Sequence, residues 1–546
     1  MGRRPTLKSN VELPAPVCMP VSGDKKGLKI PNLALGALGL IVVCGGAYAL
    51  YNTGRIGGKK QLPPGPRPWA VFGTSMHLGT TPCQAIAKLC SCDYGGMMTV
   101  YMGNIPTVII TSSKVAVQVL EKYDIAFCPP KKFSWPCMLL FPAGYQNLKC
   151  VPPYNSAHWH KLRQIYATRL LEQAYSMSFQ PQHEHDLKSL QQSLRQEMAK
   201  GDSINPAWVS LRPHLRDIAF KLIFSICFGK RIDAIAAGIG SHKDPNVMQL
   251  EFLFLEIIRL GPAFIISDFL PAACHLPTPI DLQRATTSKK LEKIFLLVIQ
   301  DYRERANTKG PGARLLDLVD NLVCLRGDKK LHDKEIVWLL SELILANTDN
   351  VSASLEWTIA HLMTNPHLQR KIHEEIDHVC GQRSHLSMCD IDRMPYLDAC
   401  IKESIRISSP VMFSVPHSTT REVNIGGYRL PVNTQIMCHL GALGKDCEIH
   451  KNPCTFDPTR FFDENSCPDS QWKRQRNIVH LIAKQLCPGR GLDFLHIHII
   501  LVKILQMFEL SPLYADIKPF KLTDTIEWGV IHILRKPLVA CLKPHS

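Results

Sequence analysis

The sequence predicts a mainly α-helical protein with small β-sheets near both ends of its body. Three observations predict it. Apolar residues recur at helical spacing through 159–228, 247–266, 282–307, 334–364, 396–407 and 490–510. Strand-like alternation is confined to 100–110, 424–430, 434–440 and a hairpin over 526–542. The composition of the 546 residues, 45% hydrophobic and 20% charged, is that of a globular chain. It excludes the disordered, collagen-like and coiled-coil classes.

In chain order, a polar extension over 1–32 comes first. Residues 33–51 then carry no charge and are long enough for a membrane anchor. Their glycines are tolerated in membrane helices. A signal peptide is the rival, with a shorter apolar core and a shorter polar lead. Basic residues flank the segment on both sides, Arg3, Arg4, Lys8, Lys25, Lys26 and Lys29 before it and Arg55, Lys59, Lys60 and Arg67 after it. Charge alone therefore leaves orientation open. Residues 52–69 end in Pro63, Pro64, Pro66 and Pro68, which cannot continue a helix and form a stiff hinge. The body is 70–546.

Lys and Arg total 63 against 47 Asp and Glu, a net charge of +16. That balance favours an acidic protein or anionic lipid as partner. No zinc-finger spacing, dense basic block or arginine-rich repeat points to nucleic acid, so none is expected as a partner. The 20 cysteines are scattered without a framework spacing, so they read as reduced thiols.

Five motifs carry chemistry. Cys487-Pro488-Gly489-Arg490 places a thiol just before a helix, where the dipole and free N–H groups favour a thiolate. Glu403 and Arg406 share one face of the helix over 396–407, among apolar neighbours, so they need partners. Arg460, in Phe456-Asp457-Pro458-Thr459-Arg460-Phe461, is a second Arg able to join them. Thr348, Asp349 and Asn350 put a hydroxyl, an acid and an amide inside an otherwise apolar helix, which is costly unless satisfied. Trp159 and Arg163 are four residues apart on one helix face, where indole N–H and guanidinium can hold an anion. Each motif alone also fits a bland structural role.

Their order does not. Pro-rich hinge, Trp-x-x-x-Arg, acid–amide helix, Glu-x-x-Arg, Pro-x-Arg-Phe and Cys-Pro-Gly before a long helix resembles the cytochrome P450 family, over roughly residues 62–544. The hinge, 144–163 and the tail 528–544 look most like its plant microsomal type. The resemblance implies the P450 fold behind a transmembrane helix, with haem b as cofactor. Cys487 would be the axial thiolate, the one metal ligand. Trp159, Arg163 and His417 would contact propionates. Glu403, Arg406 and Arg460 would form a buried structural triad. Asp349, Asn350 and Thr348 would serve proton delivery, and 133–146 and 411–415 would touch substrate. Electrons would come from NADPH through NADPH–cytochrome P450 reductase. The expected place is the endoplasmic reticulum membrane, single-pass, with a cytosolic body.

Two departures stand out. The family shows Phe-Gly-x-Gly-x-Arg-x-Cys before the ligand, and here 480–487 reads HLIAKQLC. Both glycines and the Arg are replaced, leaving Lys484 and His480 as the nearby basic residues. In the distal helix, Asn347 replaces Gly and Asn350 replaces Thr. The run from Asp349 to Trp357 is similar to a plant group that N-hydroxylates amino acids toward aldoximes, although that group has Pro where Val351 stands. The expected function is a haem-thiolate monooxygenase of plant specialised metabolism, acting on an amino acid. The alternatives are carbon hydroxylation of a phenylpropanoid or terpenoid-like lipophilic metabolite, and a non-catalytic membrane protein retaining the fold.

Overall fold

A computed structural model describes 62–68, 74, 82–90, most of 94–122, most of 161–165, 181–200, 208–229, 252–257, 279–308, most of 317–462, 479, 489–512 and 525–545 except 529 and 530. The helices are α1 (Pro82–Cys90), α2 (Ser113–Lys122), α3 (Pro181–Met198), α4 (Leu211–Phe228), α5 (Pro279–Thr308), α6 (Leu318–Val323), α7 (Asp333–Thr364), α8 (Pro366–Val379), α9 (Met388–Asp392), α10 (Pro395–Ile407), α11 (Leu440–Leu443) and α12 (Arg490–Leu505). The strands are β1 (Met97–Met102), β2 (Ile105–Ile110), β3 (Trp208–Ser210), β4 (His417–Ser418), β5 (Val423–Ile425), β6 (Tyr428–Leu430), β7 (Gln435–Cys438), β8 (Phe508–Pro512), β9 (Thr525–Trp528), β10 (Ile531–Leu534) and β11 (Val539–Pro544). The chain is mainly helical with small sheets, as its periodicity predicts.

The organising element is α7. Its 32 residues span about 48 Å. The backbone N–H of His332 donates to Glu335 Oε2 at 2.7 Å and secures the start. Pro366 opens α8 immediately after Asn365, so α7 cannot run on. Leu, Ile, Val and Trp side chains bury it nearly all round, against α4, α10 and α12. A core of Leu215, Ile218, Leu355, Ile359, Ile401, Ile500 and Val502 joins those helices with α3 and α8. A second core gathers Phe224, Phe228, Phe295, Tyr302 and Ile344 between α4, α5 and α7.

The largest sheet has the order β1, β2, β7, β4. β2 and β7 are parallel, and β7 pairs antiparallel with β4, setting His417 opposite Ile436. The hinge docks here, with Thr99 N donating to Pro64 O at 3.0 Å. β5 and β6 form a hairpin whose turn needs Gly426 and Gly427, both at positive φ.

Three sequence expectations differ from the structure. The helix entered at Arg490 ends at Leu505, and Phe508–Pro512 is a strand. Gln369 accounts for the change: its side chain donates to Leu510 O and accepts from Leu510 N, at 2.9 and 2.8 Å, while β11 pairs with β8. The tail is not one hairpin. β9 and β10 pair with each other, but β11 leaves to join β8 and β3. An ion pair of Arg212 and Glu356 captures the turn, accepting Leu538 N at 2.9 Å and donating to Leu534 O at 2.6 Å. Finally, β3 interrupts the periodic stretch 159–228.

The expected extension 1–32, the anchor 33–51 and most of the hinge lie outside the described residues. Among the described residues, no helix is long and apolar enough to cross a membrane.

Candidate active site

One part of the site is a buried ionic network. Glu403 and Arg406 are almost wholly inaccessible, at 0% and 1%. Three-residue spacing on α10 sets them side by side, and Arg406 grips both carboxylate oxygens at 2.7 and 2.8 Å. Its other nitrogen donates to the carbonyls of Gly444 and Pro453. A short 3-10 turn, Pro458–Phe461, brings Arg460 Nε to 3.3 Å from Glu403. The Asp457 N–H adds a bond of 2.9 Å to the same oxygen. Two guanidiniums, one carboxylate and several backbone groups thereby satisfy one another away from water.

The second part is α7. Between Glu335 and Met363, every residue is buried except Trp338, Glu342, Ala346 and Asn350. They recur every fourth position, so they form one stripe along one face. Between Glu335 and Met363 this stripe alone is half-buried, the rest of the helix being buried. Asn350 ends the stripe, and its Oδ1 is buried with no partner among the described residues.

The neighbours of Asn350 face elsewhere. Asp349 turns to α4, where Arg216 Nη2 lies 2.9 Å from Oδ1. Burial pushes the Asp349 carboxyl above the usual carboxylate range, and Arg216 opposes that rise. Thr348 is also buried, and its hydroxyl donates to Ile344 O at 2.8 Å. The structure thus brings Asp349 and Asn350 to adjacent faces of one turn and engages the Thr348 hydroxyl within the helix.

The third part is α12. Gly489 is its N-cap, so Cys487 precedes a helix N-terminus by three residues. His417 is buried on β4. Trp159, Arg163, Lys484 and Cys487 themselves lie outside the described residues, as do 133–146.

Comparison with known proteins decides what this arrangement is. Residues 63–537 match the family described as cytochrome P450. The chain belongs to the cytochrome P450 family.

Cytochrome P450 98A1 of Sorghum bicolor is 27% identical over 94% of this chain and 96% of its own length. Flavonoid 3'-monooxygenase of Petunia hybrida is 28% identical over 82% of this chain and 85% of its own. Iridoid oxidase of Catharanthus roseus is 26% identical over 86% and 90%. The protein is accordingly a cytochrome P450 monooxygenase with a haem-thiolate cofactor. The described residues leave one polar atom for such a group to meet: the Asn350 Oδ1 is buried without a partner among them.

Sequence reasoning missed three residues of the site. Arg216, which holds Asp349, sits in an ordinary amphipathic stretch and gives no local signal. Asp493 and His496 are polar residues in the apolar helix α12, and that mismatch could have flagged them.

Proposed function

We propose that this P450 hydroxylates carbon in a lipophilic aromatic or terpenoid-like metabolite. The observation that carries the reading is the half-buried stripe of α7, Trp338, Glu342, Ala346 and Asn350. It sets an indole and a methyl group beside two polar groups, the Glu342 carboxylate and the Asn350 amide, and apolar groups with a few polar ones suit a lipophilic ligand. Relatives whose names specify flavonoid, iridoid and cinnamate oxidations support it.

Haem, which the Cys487 thiolate would hold, would supply oxygen activation: with two electrons from NADPH, passed through a reductase, and two protons, one oxygen atom would enter the substrate and the other leave as water. Trp159, Arg163, His417 and Lys484 would hold the propionates. Glu403, Arg406 and Arg460 brace the segment leading to the cysteine. Asp349, steadied by Arg216, and the Asn350 amide would orient water and pass protons, with Thr348 supporting the turn. Residues 33–51 would anchor the body to the endoplasmic reticulum membrane.

Asn350 also favours a second reading, N-hydroxylation of an amino acid toward an aldoxime. One experiment separates them. The protein is reconstituted with NADPH and its reductase under ¹⁸O₂ and offered flavonoids, cinnamates, terpenoids and amino acids. A labelled alcohol or phenol supports the proposal. A labelled oxime from an amino acid overturns it in favour of the second reading.

A further inference from the structure

The helix that follows Cys487 and the helix that carries Asp349 meet through side chains that the reaction scheme above does not use. Asn347 Nδ2 donates to Asp493 Oδ1 at 2.7 Å. His496, nearly one turn further along α12, lies with Nδ1 3.2 Å from Asn347 Oδ1. An amide oxygen only accepts, so His496 carries its proton on Nδ1 and donates. Asn347 and His496 are buried, and Asp493 is half-buried. His183 of α3 stands edge-on to His496, their rings 6.3 Å apart.

Geometry gives this contact its meaning. Asn347 and Asp349 are two residues apart, about 200° around the helix. One ties α7 to α12 and the other ties it to α4 through Arg216. Asn350, on the half-buried stripe, lies on the same turn as both anchors.

We propose that Asn347 and Asp493 are positioning residues that fix the register of α7 on α12, and so hold the Asn350 amide and the Asp349 carboxyl at a set depth relative to the N-terminus of α12. The proposal rests on the monooxygenase reading. It assigns a use to Asn347, the residue that departs from the family's glycine.

Ionisation of Asp493 gives the contact a pH-dependent signature. Burial pushes the Asp493 carboxyl up to about 8, with Asn347 the side chain that opposes the rise. Burial and His183 push His496 down to about 3. At neutral pH both groups are uncharged, with Asp493 protonated. Among the described residues, the groups facing this contact include His496 on α12 itself, His183 on α3 and Asn347 on α7. Arg490, on the first turn of α12, stacks over Phe494. Because Asn347 donates to the Asp493 carboxyl oxygen, that bond persists and strengthens as Asp493 ionises with pH rising through about 8.

The test uses full-length protein in membranes, with carbon monoxide as probe, so no substrate is needed. Asn347→Ala, Asp493→Leu and the double variant are compared with Asp493→Asn, which keeps shape and hydrogen bonding. Carbon monoxide release from the reduced protein should quicken about fivefold in each disruptive single variant and no further in the double, since both break one contact. Asp493→Asn should stay within about twofold of wild type at pH 7 and lose the change in release rate that wild type shows above pH ~8. Release rates equal to wild type in Asn347→Ala and Asp493→Leu, even with lowered thermal stability, would overturn the proposal. If wild type gave no carbon monoxide signal, the monooxygenase reading would fail. Amide exchange over 345–351 would then decide the contact itself: about tenfold faster in Asp493→Leu supports it, and no change overturns it.

Discussion

Replacing Arg406 with Met should be among the most damaging single changes in the described body. Arg406 makes two bonds to Glu403, at 2.7 and 2.8 Å, and reaches the Pro453 carbonyl at 2.8 Å. Methionine fills much of the volume but supplies no donor. Glu403, at 0% exposure, would keep the Asp457 N–H and the longer Arg460 contact. Breaking one side of a buried pair costs about 3–5 kcal/mol. Carbonyls left without a donor add about 1–3 kcal/mol each, and residual Arg460 contact offsets part of that. A net loss of about 5 kcal/mol is expected, against a typical domain stability of about 5–15 kcal/mol. Denaturant titration, with haem content per polypeptide measured alongside, provides the assay. Arg305→Met is the control: Arg305 pairs with Asp301 on the solvent-facing side of α5, at 45% and 42% exposure, and should cost under about 1 kcal/mol. If Arg406→Met unfolds within about 1 kcal/mol of wild type, the network is not the brace described here.

Two further outcomes are expected. Glu356→Ala strands Arg212 and releases Leu538 N, so it should cost about 3 kcal/mol and speed amide exchange first in β11, with Glu356→Gln intermediate. Asn350→Thr should leave stability within about 0.5 kcal/mol, because the Oδ1 atom has no partner to lose among the described residues, yet it should change the product formed per NADPH at least twofold.

Much of the helical body was legible because apolar periodicity is a local signal. The long run of α7 and the Glu403 and Arg406 spacing on α10 are both written within a few turns. Arg460 was legible as a second Arg able to join Glu403 and Arg406, but its approach to Glu403 is set by tertiary folding. What failed depended on distant partners. Residues 508–512 carry an apolar pattern that fits a helix, and it is Gln369 and β11 that make them a strand. Arg216 looks like any helix-surface cation until α7 delivers Asp349 to it. Asn347 was visible as a departure from the family's glycine, but its reason appears only when Asp493 is placed opposite. The family likeness came from motif order, and the match over 63–537 agrees with it. The substrate was the least legible feature, because it depends on the lining of a site assembled from separate segments.

The monooxygenase reading stands on haem held through the Cys487 thiolate. A reduced carbon monoxide difference spectrum of the membrane-bound protein, beside Cys487→Ala, tests it. A thiolate-type Soret band is expected in wild type and should vanish in the variant, with both proteins folded. A folded wild-type protein with no such band, or a band unchanged in Cys487→Ala, would contradict it.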